Sequence, residues 1–190
     1  MQALSIFLFT LIVMGANDST IRGKVTMPGR DYRDAVVYLE GVPGSFKAPA
    51  APVQVDQKGK VFIPHVLPVV LGTTVEFLNS DDFLHNVFTP SKADKFNLGN
   101  WSKGVGKKYT FNKLGEVVLL CNLHPEMEAW VIVLPNPYFA KTDASGSFAI
   151  DNVPPGKYTV KVWQKRYRTA PQPVTVPASG AVEVNFTLAK

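Results

Sequence analysis

This sequence contains four side chains that together can bind a soft transition metal, and three of them lie in one short segment. The stretch CNLHPEM, residues 121–127, places Cys121, His124 and Met127 at successive third positions. His85 lies well upstream, after the alternating segment TTVEFLN. Two imidazoles and a thiolate in a plane, with a long axial thioether, make the blue-copper electron-transfer arrangement. These residues therefore predict one mononuclear copper ion.

Other interpretations of the same residues are weaker. A lone buried cysteine is commonly an inert small hydrophobic residue, and a single methionine more often fills a core. Structural zinc sites usually close with four Cys or His ligands, and the chain has one Cys and three His residues. These counts also exclude a trinuclear oxygen-reducing cluster beside the mononuclear site. Four protein ligands leave no open position for a substrate, so we predict that the protein is not an enzyme.

The third histidine, His65, lies between prolines in the segment FIPHVLPV. Its simplest interpretation is a histidine that is hydrogen-bonded at the domain surface. Support of the metal ligands, or contact with a second domain, is the main alternative. His65 could in principle replace Met127 as a ligand, although nothing in the spacing requires it. We therefore keep it as an auxiliary candidate.

Alternating segments predict the strands that position these residues. GEVVLLC places Cys121 at the end of an inward-facing apolar row, and AWVIVL places Trp130, Ile132 and Leu134 in another row on one face. The segment NLHPEM between them is then a tight loop at one edge of a β-sandwich. Fifteen Pro and 14 Gly residues between short apolar runs favour an all-β chain.

A second β unit follows the ligand loop. TDASGSFAI, VPPGKYTVKV and AVEVNFTLA alternate apolar and polar residues. With residues 21–41, IRGKVTMPGRDYRDAVVYLEG, they resemble the carboxypeptidase regulatory-like, transthyretin-like β-sandwich. The resemblance implies one sandwich of residues 17–44 plus 136–190, interrupted by an inserted domain at residues 45–134. The alternative is that residues 21–41 add strands to the middle domain.

The middle of the chain resembles a second family, the cupredoxins. FIPHVLPVVLGTTVEFLNSDDFLHNVF resembles their upstream half, and GEVVLLCNLHPEMEAWVIV resembles their ligand loop, with a Cys-x-x-His-x-x-Met spacing closest to amicyanin. The resemblance implies a Greek-key β-sandwich inserted in, or followed by, the smaller sandwich. It also implies His85, Cys121 and His124 as strong copper ligands and Met127 as the weak axial one. Asn86 would tie the two ligand segments together by hydrogen bonds.

The function implied by this resemblance is transfer of single electrons between redox proteins, such as a dehydrogenase and a c-type cytochrome. Electrons would pass through His124. Glu126 and Glu128 flank Met127 and are expected to give the docking face negative charge. Two alternatives remain open: a copper-binding module for storage, delivery or sensing, and a structural exported protein with a vestigial site.

The first residues, MQALSIFLFTLIVMGANDS, contain an uncharged apolar run followed by small residues. This pattern predicts a secretory signal at residues 1–16 and export, to a bacterial periplasm. The run is shorter than the roughly 20 residues of a membrane span, so no span should remain after cleavage; an uncleaved anchor is the alternative. A single cysteine cannot form an internal disulfide, so the thiol is either buried inertly, paired with another molecule or bound to a metal.

The charge pattern gives no reason to expect nucleic-acid binding. The formal net charge is +5, and the densest basic segment is WSKGVGKKYTFNK. Its aromatic residues do not form a platform for single strands, so a solvated hairpin explains it better. The oligomeric state is not predicted.

Overall fold

The computed structural model describes residues 18–29 and 32–190. The predicted signal at residues 1–16 lies outside the described residues. Every regular element within the described residues is a β-strand, which confirms the predicted all-β fold. Those residues contain no helix with the length and apolar character that a membrane crossing requires.

Seventeen strands form in the described residues, most of them short and separated by turns that contain Gly or Pro. In chain order they are β1 (Asp18–Thr26), β2 (Val36–Glu40), β3 (Val53–Lys58), β4 (Val61–Ile63), β5 (Val66–Val70), β6 (Thr74–Phe77), β7 (His85–Thr89), β8 (Phe96–Trp101), β9 (Lys107–Thr110), β10 (Gly115–Leu120), β11 (Glu128–Leu134), β12 (Phe139–Lys141), β13 (Ser147–Ile150), β14 (Gly156–Trp163), β15 (Gln172–Val176), β16 (Ser179–Glu183) and β17 (Phe186–Thr187).

The strands pair into four sheets. Two sheets come from the middle of the chain, in the orders β4-β3-β6-β9 and β5-β11-β10-β7-β8. We call this pair the middle sandwich. The other two, β13-β1-β16 with β17 beside β1, and β12-β2-β14-β15, join strands from both ends of the chain. We call this second pair the terminal sandwich.

Each sandwich encloses its own apolar core. In the middle sandwich, Val75 and Phe77 from one sheet meet Leu119 and Val131 from the other, and the same cluster contains Cys121. The core of the terminal sandwich is formed in the same way by residues from both of its sheets, among them Ile21, Leu39, Phe148, Val160 and Phe186.

A third apolar cluster lies between the two sandwiches. It is built from residues of β5 and β11 on one side and of β2, β12 and β14 on the other: Val36, Val66, Ile132 and Leu134, with Tyr38, Trp130, Phe139 and Trp163 packed against them. The four sheets therefore form a single stack, in which one apolar layer separates each sheet from the next.

The two faces of β11 pack against different parts of the molecule. Trp130, Ile132 and Leu134 share one face, as predicted, and that face meets the terminal sandwich. The alternate residues, including Val131 and Val133, fill the core of the middle sandwich. Because β11 lies in an inner sheet of the stack, it is apolar on both sides, as strands covered on both faces are.

Candidate metal centre

His85, Cys121 and His124 come together at one edge of the middle sandwich. β7 and β10 are antiparallel neighbours, with Leu120 opposite Phe88. The start of β7, where His85 lies, is therefore close to the end of β10, which Cys121 follows directly. His124 is in the turn between β10 and β11. One possible ligand atom from each of the three residues lies within 4.8 Å of the other two.

The orientation of His85 is fixed by a carboxylate. Its side chain is fully buried, and Nε2 lies 2.8 Å from Oδ2 of Asp81. Partial burial raises the pKa of Asp81, but hydrogen bonds from the amides of Gly59 and Lys60 and from the His85 ring outweigh this and lower the pKa to about 2. Asp81 is therefore ionised at neutral pH and accepts a hydrogen bond from the Nε2–H group, so the lone pair of the neutral ring lies on Nδ1.

The residues at this site fit a metal ion. Nδ1 of His85 is buried and has no hydrogen-bond partner, and such an atom costs free energy unless it is bound by something. The thiol and the second imidazole are in place beside it, since Sγ of Cys121 lies 3.8 Å from Nδ1 of His124. One thiolate and two imidazoles are donors that copper prefers.

Met127 is buried in the same core cluster as Cys121, with 1% of its surface exposed. Its amide donates a hydrogen bond to the carbonyl of His124 at 3.0 Å, which closes the turn. The turn therefore returns the chain to the core directly after His124. The role of Met127 as an axial ligand stays a prediction.

Asn86 links the two segments that carry the ligand candidates. Its Nδ2 donates to Oδ1 of Asn97 and to the carbonyl of Gly99, both at 2.9 Å. Its Oδ1 accepts a hydrogen bond from the amide of Asn122 at 3.3 Å. Asn86 directly follows His85 and Asn122 directly follows Cys121, so this last hydrogen bond links the two segments that carry the ligand candidates.

His65 does not belong to the cluster of ligand candidates. Its Nδ1 lies 3.0 Å from Oδ2 of Asp34, in the terminal sandwich, and half of the side chain is exposed. Its carbonyl accepts a hydrogen bond from the amide of Trp130 at 2.9 Å. His65 therefore contacts both sandwiches.

Two residues next to the site were missed in the sequence. Asp81 lies four positions before His85, and a carboxylate near a ligand histidine is the only signal that would have indicated it. Phe83 is 43% exposed, and its ring centroid lies 5.1 Å from that of His85 and 5.3 Å from that of His124. Phe83 covers both imidazoles from the solvent side.

The negative charge next to Met127 is smaller than the sequence predicts, because Lys165 pairs with one of the two flanking glutamates. Oε1 of Glu128 accepts hydrogen bonds from Lys165 and, at 3.2 Å, from Nε1 of Trp130. Partial burial raises the pKa of Glu128, but these bonds outweigh it, so the pKa is lowered and the carboxylate is ionised and paired. Glu126 is exposed, and it carries the negative charge expected of this face.

Exposed apolar side chains lie near the buried His85 and the half-buried His124. Phe83, Leu84 and Leu123 lie beside the two histidines in space or in sequence, and each has more than 40% of its surface exposed. A groove of about 470 Å³ adjoins Met127 and is lined in part by Val61. Phe83, Leu84 and Leu123 are called the metal-end patch below.

The comparison with protein families finds one domain. Residues 128–189 match the carboxypeptidase regulatory-like domain. This match confirms the resemblance predicted for the C-terminal strands. The regulatory-like match covers β11 to β17, whereas β1 and β2, which pair with those strands in the terminal sandwich, lie before it.

Several solved structures are similar to the chain. A Cu-containing nitrite reductase (NirK) from Thermus scotoductus SA-01 is 31% identical, over 49% of this chain and 24% of that one, with a TM-score of 0.43. A purple cupredoxin from Nitrosopumilus maritimus is 23% identical, over 43% and 99%, with a TM-score of 0.39. Amicyanin from Paracoccus versutus is 28% identical, over 45% and 84%, with a TM-score of 0.41. The similar structures thus include a purple cupredoxin and an amicyanin.

The chain spans about a quarter of the length of the nitrite reductase. No curated protein matches the chain.

Proposed function

We propose that this protein is an exported mononuclear copper protein that transfers single electrons between redox proteins. The observation that carries the proposal is the buried, unpartnered Nδ1 of His85 beside Cys121 and His124. These three residues would hold the ion, with Met127 as a fourth ligand. Copper bound there supplies a one-electron couple between its cuprous and cupric states.

The chain contributes rigidity to this function. His85 is held by Asp81, and Asn86 fastens the ligand segments to each other. The turn from Cys121 to Met127 is closed by a backbone hydrogen bond and returns directly into β11. Because these contacts hold the donor atoms in one arrangement, the side chains need to move little when the charge at the site changes.

The metal-end patch supports docking of a redox partner at His124. An exposed apolar surface around a half-buried imidazole lets a partner exclude water and approach the ring edge closely. We propose a c-type cytochrome or a dehydrogenase as the class of partner. The periplasm is the proposed compartment.

A copper-binding module for storage, delivery or sensing is the second candidate. The half-buried His124, in a turn beside the exposed Leu123, is the observation in its favour, because a ligand at the surface suits transfer of the ion to another protein.

The deciding experiment is to load the purified protein with Cu(II) and record visible absorption and electron paramagnetic resonance. An electron carrier gives an intense blue colour and a narrow copper hyperfine splitting, and both should disappear in Cys121→Ser because the thiolate is their source. Reversible voltammetry should follow. A colourless protein that binds Cu(I) reversibly would favour the second candidate instead.

A further inference from the structure

The terminal sandwich contacts the residue that follows Met127. Lys165, just beyond β14, forms an ion pair with Glu128, the first residue of β11. The same carboxylate oxygen accepts the indole N–H of Trp130 at 3.2 Å. About a third of each charged side chain is exposed, 36% for Lys165 and 31% for Glu128. The pair lies at the rim of the junction between the sandwiches.

Trp130 is held by the terminal sandwich as well. Its ring centroid lies 5.5 Å from that of Trp163 in β14, and Nε1 of Trp163 donates to Glu116 in β10 at 2.6 Å. The amide of Trp130 donates to His65, whose side chain reaches Asp34. The beginning of β11 is therefore fastened to the terminal sandwich at several points.

The contacts that hold Glu128 affect two ligand candidates, Met127 and Cys121. Glu128 is the residue after Met127, and in the ladder it lies opposite Leu120, the residue before Cys121. In a strand, neighbouring side chains point to opposite faces. Glu128, the first residue of β11, therefore shares the outward face with Trp130 and pairs with Lys165 there, whereas Met127, just before the strand, is buried in the core of the middle sandwich. Because the two residues are joined by one peptide bond, the position of Glu128 constrains that of Met127.

We propose that the terminal sandwich positions Met127 through the ion pair between Lys165 and Glu128. Both are positioning residues, since neither belongs to the cluster of ligand candidates. The inference rests on the proposed function for its copper measurements, and it has a second readout that needs no copper. An axial thioether is a weak, long ligand whose position tunes the metal, so small displacements should be visible in the spectrum.

The test on the copper-loaded protein compares two variants that break the same ion pair but change the net charge in opposite directions. Lys165→Ala removes a positive charge, which alone lowers the reduction potential, and Glu128→Gln removes a negative charge, which alone raises it. If the pair positions Met127, both variants change the intensity ratio of the two visible copper–thiolate bands in the same direction. Lys165→Arg should restore the wild-type ratio. Band ratios equal to wild type in both variants would overturn the inference.

The metal-free test records the methyl resonance of Met127 by NMR, assigned by its loss in Met127→Leu. Lys165→Ala and Glu128→Gln should each shift this resonance, and Lys165→Arg should not. The matched control is Lys103→Ala, because Lys103 forms an exposed pair with Asp82 near the same end of the sandwich without reaching the terminal sandwich. An unshifted Met127 resonance in both pair variants would contradict the inference.

The two proposals fail in different ways. If the wild-type protein shows no blue copper but its Met127 resonance responds to Lys165, the function is wrong and the positioning stands. If the protein is blue and neither readout responds to Lys165, the positioning is wrong and the function stands.

Discussion

At the scale of single residues, the state of His85 decides what the site can do. Its ring is fully buried, one nitrogen is committed to Asp81 and the other has no partner. A buried imidazole in this state is prepared to donate a lone pair, because its tautomer is already set by the carboxylate. The candidate site is thus organised by Asp81, which is not itself one of the ligand candidates.

Replacing Asp81 should weaken metal binding. Asp81→Asn keeps the size of the side chain but removes the charge that selects the tautomer of His85. We expect copper affinity to fall by about 10–100-fold, measured by competition with a chelator. Asp82→Asn is the control, because that side chain is 87% exposed and pairs with Lys103. Equal affinities in the two variants would show that Asp81 does not orient the ligand.

Placing a charge in the metal-end patch should slow electron exchange. In Leu123→Asp, two copies that meet through their patches must desolvate carboxylates, so the self-exchange rate should fall by at least about tenfold, about 1.4 kcal/mol in barrier. NMR line broadening in mixtures of oxidised and reduced protein measures this rate. Leu114→Asp, just before the other end of β10 and 51% exposed against 43% for Leu123, should have little effect. A slower rate in Leu114→Asp alone would place the contact elsewhere.

At the scale of elements, β1 connects the two ends of the chain. It runs parallel to β16 from Asp18 to Arg22 and then parallel to β17 at Val25 and Thr26. At the change of partner the chain comes very close to Gly23. A Cβ atom there would lie 1.8 Å from the carbonyl oxygen of Val184. The pairing therefore requires a residue without a side chain at position 23.

Gly23→Ala should destabilise the terminal sandwich. The added methyl group collides with backbone and cannot be relieved by turning a side chain, so we expect a loss of about 1–3 kcal/mol or more in free energy of unfolding. Chemical denaturation measures it. Lys24→Ala, an exposed position on the same strand, should change stability by no more than about 0.5 kcal/mol. Similar losses in both variants would argue against the close approach.

At the scale of the whole molecule, the apolar layer between the sandwiches makes the two units dependent on each other. Ile132 and Leu134 of β11 are each only 4% exposed because Val36 and its neighbours cover them. Without that cover, the outer face of β11 would present an apolar surface to water. The layer also places the terminal sandwich next to the ligand turn.

Truncating Ile132 should cost as much as truncating a residue in either core. Ile132→Ala leaves a cavity between the sandwiches, and we expect the free energy of unfolding to fall by about 2–5 kcal/mol. Denaturant unfolding followed by fluorescence tests this, since Trp130 and Trp163 report on the layer itself. Leu114→Ala, at a 51% exposed position, is the control. A loss below about 0.5 kcal/mol for Ile132→Ala would mean that the sandwiches do not stabilise each other.

Much of this protein could be inferred from local sequence. The alternation of apolar residues predicts strands because side chains in a strand point to opposite faces in turn. The spacing of Cys121, His124 and Met127 predicts a turn that gathers soft donors, since a strand and a short loop leave few other arrangements. The GKV, AVVYLEG and VPPGKYTVKV segments resemble a regulatory-like sandwich, and residues 128–189, which contain the last of the three, match that domain.

Only the tertiary structure decided what depends on contacts between distant segments. Alternation shows that β11 has two faces, but both are apolar, so the sequence does not tell which face meets which core. The partners of Glu128 and His65 are equally hidden: Lys165 and Asp34 are ordinary charged residues until the sheets bring them into contact. Local periodicity can be predicted from the sequence because it depends only on neighbouring residues. The pairing of charges between sheets depends on how the four sheets stack, and only the tertiary structure shows that.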